Sequence, residues 1–191
     1  MKKRIFLCII AWILLLSASL AFAETAVSPQ PTEIERLAGI KIGIDPGHQA
    51  HANREQEPIA PNSKKTKDKV ASGTQGVKTR VPEYQVNLDV SLKLRDALEA
   101  LGCEVYMTRE TNDVDISNLE RALGVDLVLR IHCNGSEKKS DQGIGLYVTK
   151  TGDIAASSLA VAEAMMPELI AATGAHDHGI HKRDTYTGQN W

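Results

Sequence analysis

Apolar and polar residues alternate from Ile40 to Asp45, with Ile40, Ile42 and Ile44 on one face. A period of two over this length predicts a strand, and it ends in a Pro-Gly turn that delivers His48. Residues 49–81 then lose all periodicity and are rich in Lys, Gly, Pro and Ser, which predicts a long polar loop. In PEYQVNLDVSLKLRDALEALG (82–102) two periods compete, because Tyr84, Val86, Leu88, Val90, Leu92 and Leu94 alternate as in a strand. The segment is too long for an ordinary strand. Val86, Val90, Leu94, Ala97, Leu98 and Leu101 form a helical stripe, and Pro82 and Gly102 punctuate a helix at its two ends.

Further strands are predicted at CEVYMTR (103–109), at residues 125–132 and at GIGLYVT (143–149). SNLE (117–120) has the Ser-x-x-Glu signature of a capping box, so a short helix is expected there before Gly124. Ala155, Leu159, Ala162, Met166 and Leu169 make a stripe in a second long helix, with a kink expected at Pro167 and the Met pair as core filler. The closing AHDHGIHKRDTYTGQNW shows no clear period and is expected as loop. Strands alternating with helices predict a single three-layer α/β domain, a mostly parallel twisted sheet flanked by helices. No internal repeat is present.

The N-terminus changes where this domain works. MKKR is a basic start, IFLCIIAWILLL an apolar core, and Ala21-Phe22-Ala23 a small-x-small cleavage site, so residues 1–23 are expected to be a signal peptide. An uncleaved anchor over Ile5–Ala23 is the rival reading, disfavoured by that site and by the polar residues after it. Residues 24–38 form a tether and 39–191 the domain. An exported chain is therefore expected, in the cell wall, the periplasm or the medium, without stable membrane insertion after cleavage.

Of the 22 basic residues three leave with the signal, and 19 against 24 acidic residues give a net charge of −5. That balance argues against a nucleic-acid partner, which selects for a basic face. Cys103 and Cys133 remain, each in an expected strand; two buried thiols are the simplest expectation, since two cysteines make no disulfide framework.

Candidate chemistry lies at strand ends. VDLVLRIHCNG (125–135) repeats the pattern of GIKIGIDPGHQ (39–49), an apolar strand that ends in a histidine and a Gly-containing turn. In open α/β sheets ligands gather beyond the carboxyl ends of strands, so His48 and His132 together suggest half of a metal site. Either histidine alone would read as a loop or core residue. Glu83, just after Pro82 at a helix start, is the candidate third ligand; its ordinary reading is an acid complementing the helix dipole. Asp45 is a candidate orienting residue behind His48 or a turn-former before Pro-Gly. Arg130 could meet a substrate carboxylate, although pairing with Asp126 is the favoured reading. Asn134 reads as a turn residue, and His176, His178 and His181 as exposed loop histidines.

IDPGHQ, the block PEYQVNLDVSLKLRDALEALGCEVYMTR, and LRIHCNG followed by GIGLYV resemble the zinc-dependent N-acetylmuramoyl-L-alanine amidases, a family of secreted and periplasmic cell-wall enzymes. The resemblance spans nearly all of 38–191. It implies Zn2+ held by His48, Glu83 and His132, with peptidoglycan as substrate, cut at the amide between N-acetylmuramic acid and L-alanine. Two imidazoles and one carboxylate suit a catalytic zinc with an open fourth position. A non-catalytic zinc-containing wall-binding module is the alternative.

The pattern is departed from in two places. The helix after Ser117 is shorter than the resemblance implies, and the family's Ala-Asn step before the next strand is missing. A strand bearing the general-base glutamate, and then a closing helix, are expected after a turn like TGQNW and do not occur before Trp191. The chain is therefore expected to be a truncated member of weak or no activity, since loss of a general base lowers rates by about 10²–10⁴-fold.

Overall fold

The computed structural model describes residues 37–183, apart from 61, 122, 123 and 139. The expected signal segment, most of the tether and the TGQNW turn lie outside the described residues. The order is β1 (Lys41–Pro46), β2 (Asn53–Pro58), β3 (Thr66–Val70), α1 (Glu83–Ala100), β4 (Glu104–Met107), β5 (Leu127–Ile131), β6 (Ile144–Val148), α2 (Ala155–Thr173) and β7 (Asp177–Lys182).

β1 is the central strand of a parallel sheet ordered β4–β1–β5. It pairs Ile42 with Val105 on one side and with Leu127 on the other. A strand flanked on both edges and covered on its faces should be apolar, and β1 is buried from Ile42 to Pro46. Ile42, Ile44 and Cys103 form the core, joined by Leu94 and Leu98 from α1 and by Val105, Met107, Leu129 and Ile131. Both parallel links place the carboxyl ends of β1 and β5 side by side, which is where the two histidines leave the sheet.

α1 holds the expected bounds, with Pro82 as its N-cap and Gly102 at φ 89° just past its end. Its buried face differs from the predicted stripe. Glu83, Asn87, Leu88 and Ser91 are buried, whereas Val90 is 46% exposed and Ala97 is exposed. The first two turns of the helix face the polar carboxyl end of the sheet, and only Leu94 and Leu98 reach the apolar core.

Residues 49–81 are not one irregular loop, because β2 and β3 form an antiparallel hairpin with a bulge between Asn53 and Gln56. Its strands are held by charge pairs across the ladder, Lys69–Glu55 at 2.6 Å and Lys67–Glu57 at 2.8 Å, rather than by an apolar stripe. The terminal segment also departs from expectation. Residues 177–182 form β7, which runs parallel to β6 and is joined to it through α2. β6 and β7 make a separate two-stranded sheet, and no ladder joins β6 to β5 among the described residues.

α2 matches the expected helix, with Pro167 inside it and Gly174 in the left-handed conformation as its C-cap. Of its expected stripe only Ala162 and Met166 are buried. By length and composition alone α2 could span a membrane, although it packs here against β6 and β7. Residues 118–121 are a turn instead of the expected helix. Even so, the capping-box bonds form, Ser117 N–H to Glu120 at 2.8 Å and Glu120 N–H to Ser117 Oγ at 3.2 Å. Cys103 is buried directly ahead of β4, and Cys133 is exposed beyond β5, contrary to the expectation of two strand thiols; both are free.

Candidate metal centre

β1 ends at Pro46, and the Gly47 amide donates to the carbonyl of Ile131 at the end of β5. This bond ties the two strand ends together and turns His48 toward His132, with ring centroids 4.8 Å apart and planes nearly perpendicular. A side chain at residue 47 has no room, since a Cβ there would lie 2.3 Å from the His132 ring. His48 itself adopts φ 63°, a left-handed conformation that non-glycine residues rarely hold.

Glu83 enters from the first turn of α1, 4% exposed, between the two histidines. Its Oε1 lies 3.3 Å from His48 Nε2 and 3.1 Å from His132 Nδ1. Ligand atoms from His48, Glu83 and His132 all lie within 4.8 Å of one another, the one such group among the described residues. Main-chain donors hold the carboxylate in place: the Cys133 amide reaches Oε1 at 2.9 Å and the Thr74 amide reaches Oε2 at 2.9 Å. Burial pushes the Glu83 carboxyl up, but bonds from His132, His48 and these two amides outweigh it and hold the group far below the ordinary carboxylate range.

The Nδ1 of His48 lies 2.8 Å from the carbonyl oxygen of Ala71. A carbonyl can only accept, so Nδ1 carries the proton and a neutral His48 turns the lone pair of Nε2 toward Glu83. Two lone pairs then face each other across 3.3 Å. A proton on His48 or a cation between the groups resolves that repulsion. Burial lowers the affinity of His48 for a proton, yet Glu83 and the Ala71 carbonyl raise it above the ordinary histidine range. The donor set fits a borderline divalent ion such as zinc, whereas magnesium and calcium prefer oxygen ligands throughout.

Beneath the turn lies a polar scaffold that includes Arg109 and Arg121, two residues given no role from sequence. Arg109 donates to the carbonyls of Pro46, Gly47 and Tyr84, and Arg121 to those of Pro46 and His48. Asp45, 1% exposed, pairs with Arg121 at 2.7 Å and Arg130 at 2.8 Å and accepts from Thr108 at 2.6 Å. Burial pushes the Asp45 carboxyl up; the two arginines and Thr108 bring it below its ordinary value. Asp45 reaches the His48 turn through Arg121, which it pairs with and which donates to the Pro46 and His48 carbonyls. Arg130 pairs with Asp45 and not with Asp126, which instead accepts from the Lys41 amide. Parallel pairing sets Asp45 directly opposite Arg130, and this cross-strand placement decides the partner.

Asn87 is a further contributor missed from sequence, one turn after Glu83. It is fully buried, donates to the Gly47 carbonyl at 3.0 Å and lies 3.4 Å from Glu83 Oε1. The i, i+4 spacing from Glu83 on a helix was the available signal. Asn134 donates to the Tyr147 hydroxyl at 3.3 Å, and His181 stacks on the same ring in β7. His176 and His178 contact each other edge to face.

The α/β domain thus brings two histidines from adjacent parallel strand ends and a glutamate from the first turn of α1 into one group that could hold a metal ion. The family model described as N-acetylmuramoyl-L-alanine amidase (Amidase_3) matches residues 42–190, and the chain belongs to that family. It is 34% identical over 103 residues to the N-acetylmuramoyl-L-alanine amidase LytC of Bacillus subtilis (strain 168), covering 51% of this chain and 20% of that protein. It is 24% identical over 156 residues to the amidase CwlM of Mycobacterium tuberculosis (strain ATCC 25618 / H37Rv), covering 78% of this chain and 34% of that one. The chain thus spans a fifth to a third of the length of these two relatives. Among solved structures, Ami1 of Mycobacterium smegmatis shares the fold with TM-score 0.69 at 24% identity, over 81% of this chain and 77% of that one. AmiC2 of Nostoc punctiforme matches with TM-score 0.55 at 19% identity, over 78% and 73% of the two chains.

Proposed function

We propose that the reaction to which residues 39–191 belong is the family's hydrolysis of the amide between N-acetylmuramic acid and L-alanine in peptidoglycan, with one zinc held by His48, Glu83 and His132. The observation that carries this reading is the convergence of three ligand-type side chains, with His48 Nε2 at 3.3 Å and His132 Nδ1 at 3.1 Å from one oxygen of Glu83. Family membership supplies the substrate class.

When bound, zinc supplies Lewis-acid polarisation of the scissile carbonyl and activation of the attacking water. The chain's own residues prepare for that chemistry. The Ala71 carbonyl keeps the proton of His48 on Nδ1 and so keeps Nε2 free, as outer partners of metal-binding histidines commonly do. The Thr74 and Cys133 amides keep Glu83 ionised and fixed in orientation. Asn87 couples that carboxylate to the turn bearing His48 through the Gly47 carbonyl. The leader-like residues 1–23 support export to the wall, where such a substrate lies.

Elemental analysis of purified protein tests the metal, with one zinc per chain expected and a loss in His132→Ala and Glu83→Gln. Incubation with peptidoglycan tests the reaction by release of free L-alanine amino groups. Release no greater than in a metal-free control rules out the amidase.

A further inference from the structure

Between Gly73 and Glu83 the chain leaves the centre and returns to it. The excursion is closed at its base by Glu83 itself: the Glu83 amide donates to the Thr74 carbonyl at 2.8 Å, and Glu83 Oε2 accepts from the Thr74 amide at 2.9 Å. An antiparallel bridge between Gln75 and Pro82 follows, and the tip is closed by Gly76 N–H to Val81 O and Arg80 N–H to Gly76 O, both at 2.9 Å. The Thr79 hydroxyl caps the Val81 amide at 3.4 Å. The result is a hydrogen-bonded arm rooted on a metal-cluster residue, with Val77 84% exposed and Lys78, Thr79 and Arg80 exposed beside it. Arg80 is held at φ 59°, a strained conformation for a long side chain. Among the described residues neither Lys78 nor Arg80 makes an ion pair, whereas the buried Asp45, Glu83 and Arg121 are all paired.

We propose that the 75–81 arm is a carboxylate-binding element for the peptide portion of the substrate, with Arg80 as its principal anion ligand and Lys78 as a supporting charge. The inference rests on the muramoyl-peptide reading above, and its test is separable from it. Planar guanidinium groups grip carboxylates through two parallel hydrogen bonds, and a closed arm leaves the backbone beneath the group already ordered, so that binding orders the side chain alone. Zinc and the arm would then act on different parts of one ligand, the scissile amide at the cluster and the peptide's acidic groups beyond it.

The test is titration calorimetry of the zinc-loaded full chain. One probe is a tripeptide beginning with L-alanine and bearing free side-chain and terminal carboxylates; the other is its fully amidated twin. Neither contains a muramoyl amide, so neither reports hydrolysis. The free-acid peptide should bind up to about fivefold more tightly than the amide, as an exposed ion pair predicts, and 0.5 M salt should erase most of that preference. Arg80→Asn keeps a residue that tolerates the left-handed backbone; it should abolish the preference without changing affinity for the amide, and Lys78→Gln should reduce it less. Equal binding of the two peptides by the unaltered chain, or an equal loss for both in Arg80→Asn, overturns the proposal. Discrimination by the arm in a chain that releases no amino groups from peptidoglycan would leave the arm standing and remove the amidase reading.

Discussion

Gly73 offers a matched perturbation of the His48–Glu83–His132 cluster. Its φ is +80°, and an added Cβ would lie 2.7 Å from Glu83 Oε2 and 2.8 Å from His48 Cδ2. Gly39 has nearly the same conformation, φ +83°, with nothing within 4 Å of the same position. Alanine at either site carries the backbone strain of a left-handed residue, about 1–2 kcal/mol, equivalent to about 2–4 °C of Tm per kcal/mol in a chain of this size. Only Gly73→Ala also forces the cluster apart. Ordinary contact begins at 3.4 Å, so Glu83 or His48 must retreat by 3.4 less 2.7 or 2.8, about 0.6–0.7 Å. Metal–ligand distances tolerate only about 0.2 Å. Zinc affinity, measured by competition with a chromophoric chelator, should therefore fall about tenfold to hundredfold in Gly73→Ala, the scale of changes behind metal ligands, and stay unchanged in Gly39→Ala. Equal zinc affinity in the two variants would refute the claim that Gly73 preserves the spacing of the donors.

Asp45→Asn leaves Arg121, buried to 2% side-chain exposure, without its main counter-charge, and should lower stability by about 3–5 kcal/mol in urea unfolding. Because the folded pKa of Asp45 is depressed, its contribution is complete above about pH 4 and fades as pH falls through the folded value; parallel pH curves for the two proteins between pH 5 and 3 would count against this. For His48 the sign reverses, since its folded pKa is raised. In the metal-free chain its stabilising charge is complete below about pH 6.5 and lost as pH rises through the higher folded value, while zinc, needing neutral imidazole, should bind more tightly over the same rise. A zinc affinity that stays flat from pH 6 to 8 contradicts that coupling. Glu57, 4% exposed, accepts from Lys67 and from the amides of Asn118 and Leu119; Glu57→Gln should destabilise by about 1–3 kcal/mol and speed hydrogen exchange across β2 and β3, and unaltered exchange there would show that it is no latch.

What could be read from sequence tracks the kind of force involved. Apolar alternation marks β1, which is buried, and β5, which is half-buried beside it, and the histidines at their ends follow from strand geometry. α1 emerged from its punctuation and length, but its buried face did not, since Glu83, Asn87 and Ser91 do not count as apolar. The β2–β3 hairpin escaped for the same reason: its ladder is zipped by Glu–Lys pairs and carries no hydrophobic period. No sequence pattern singles out Arg109 or Arg121, and only three-dimensional proximity shows two guanidiniums buried under the His48 turn. The Ser117–Glu120 signature was chemically correct although no helix follows within the described residues, because a capping box satisfies local amides whatever the chain does next. β7 stayed hidden behind three histidines and a Gly179 at φ 84° that breaks its period.

The bond between His48 Nδ1 and Ala71 O joins the two ends of everything from Gln49 to Val70. That clasp makes the intervening hairpin a closed detour, whose tip is pinched where the Ile59 amide donates to the Lys65 carbonyl at 3.1 Å. Lengthening a closed detour is thermodynamically cheap, about 0.6 kcal/mol for each doubling of a flexible loop. New sequence grafted between Ser63 and Lys65 should therefore leave the imidazole where it is, and the tip becomes the natural place on this scaffold to add a tag, a reporter or a second recognition module.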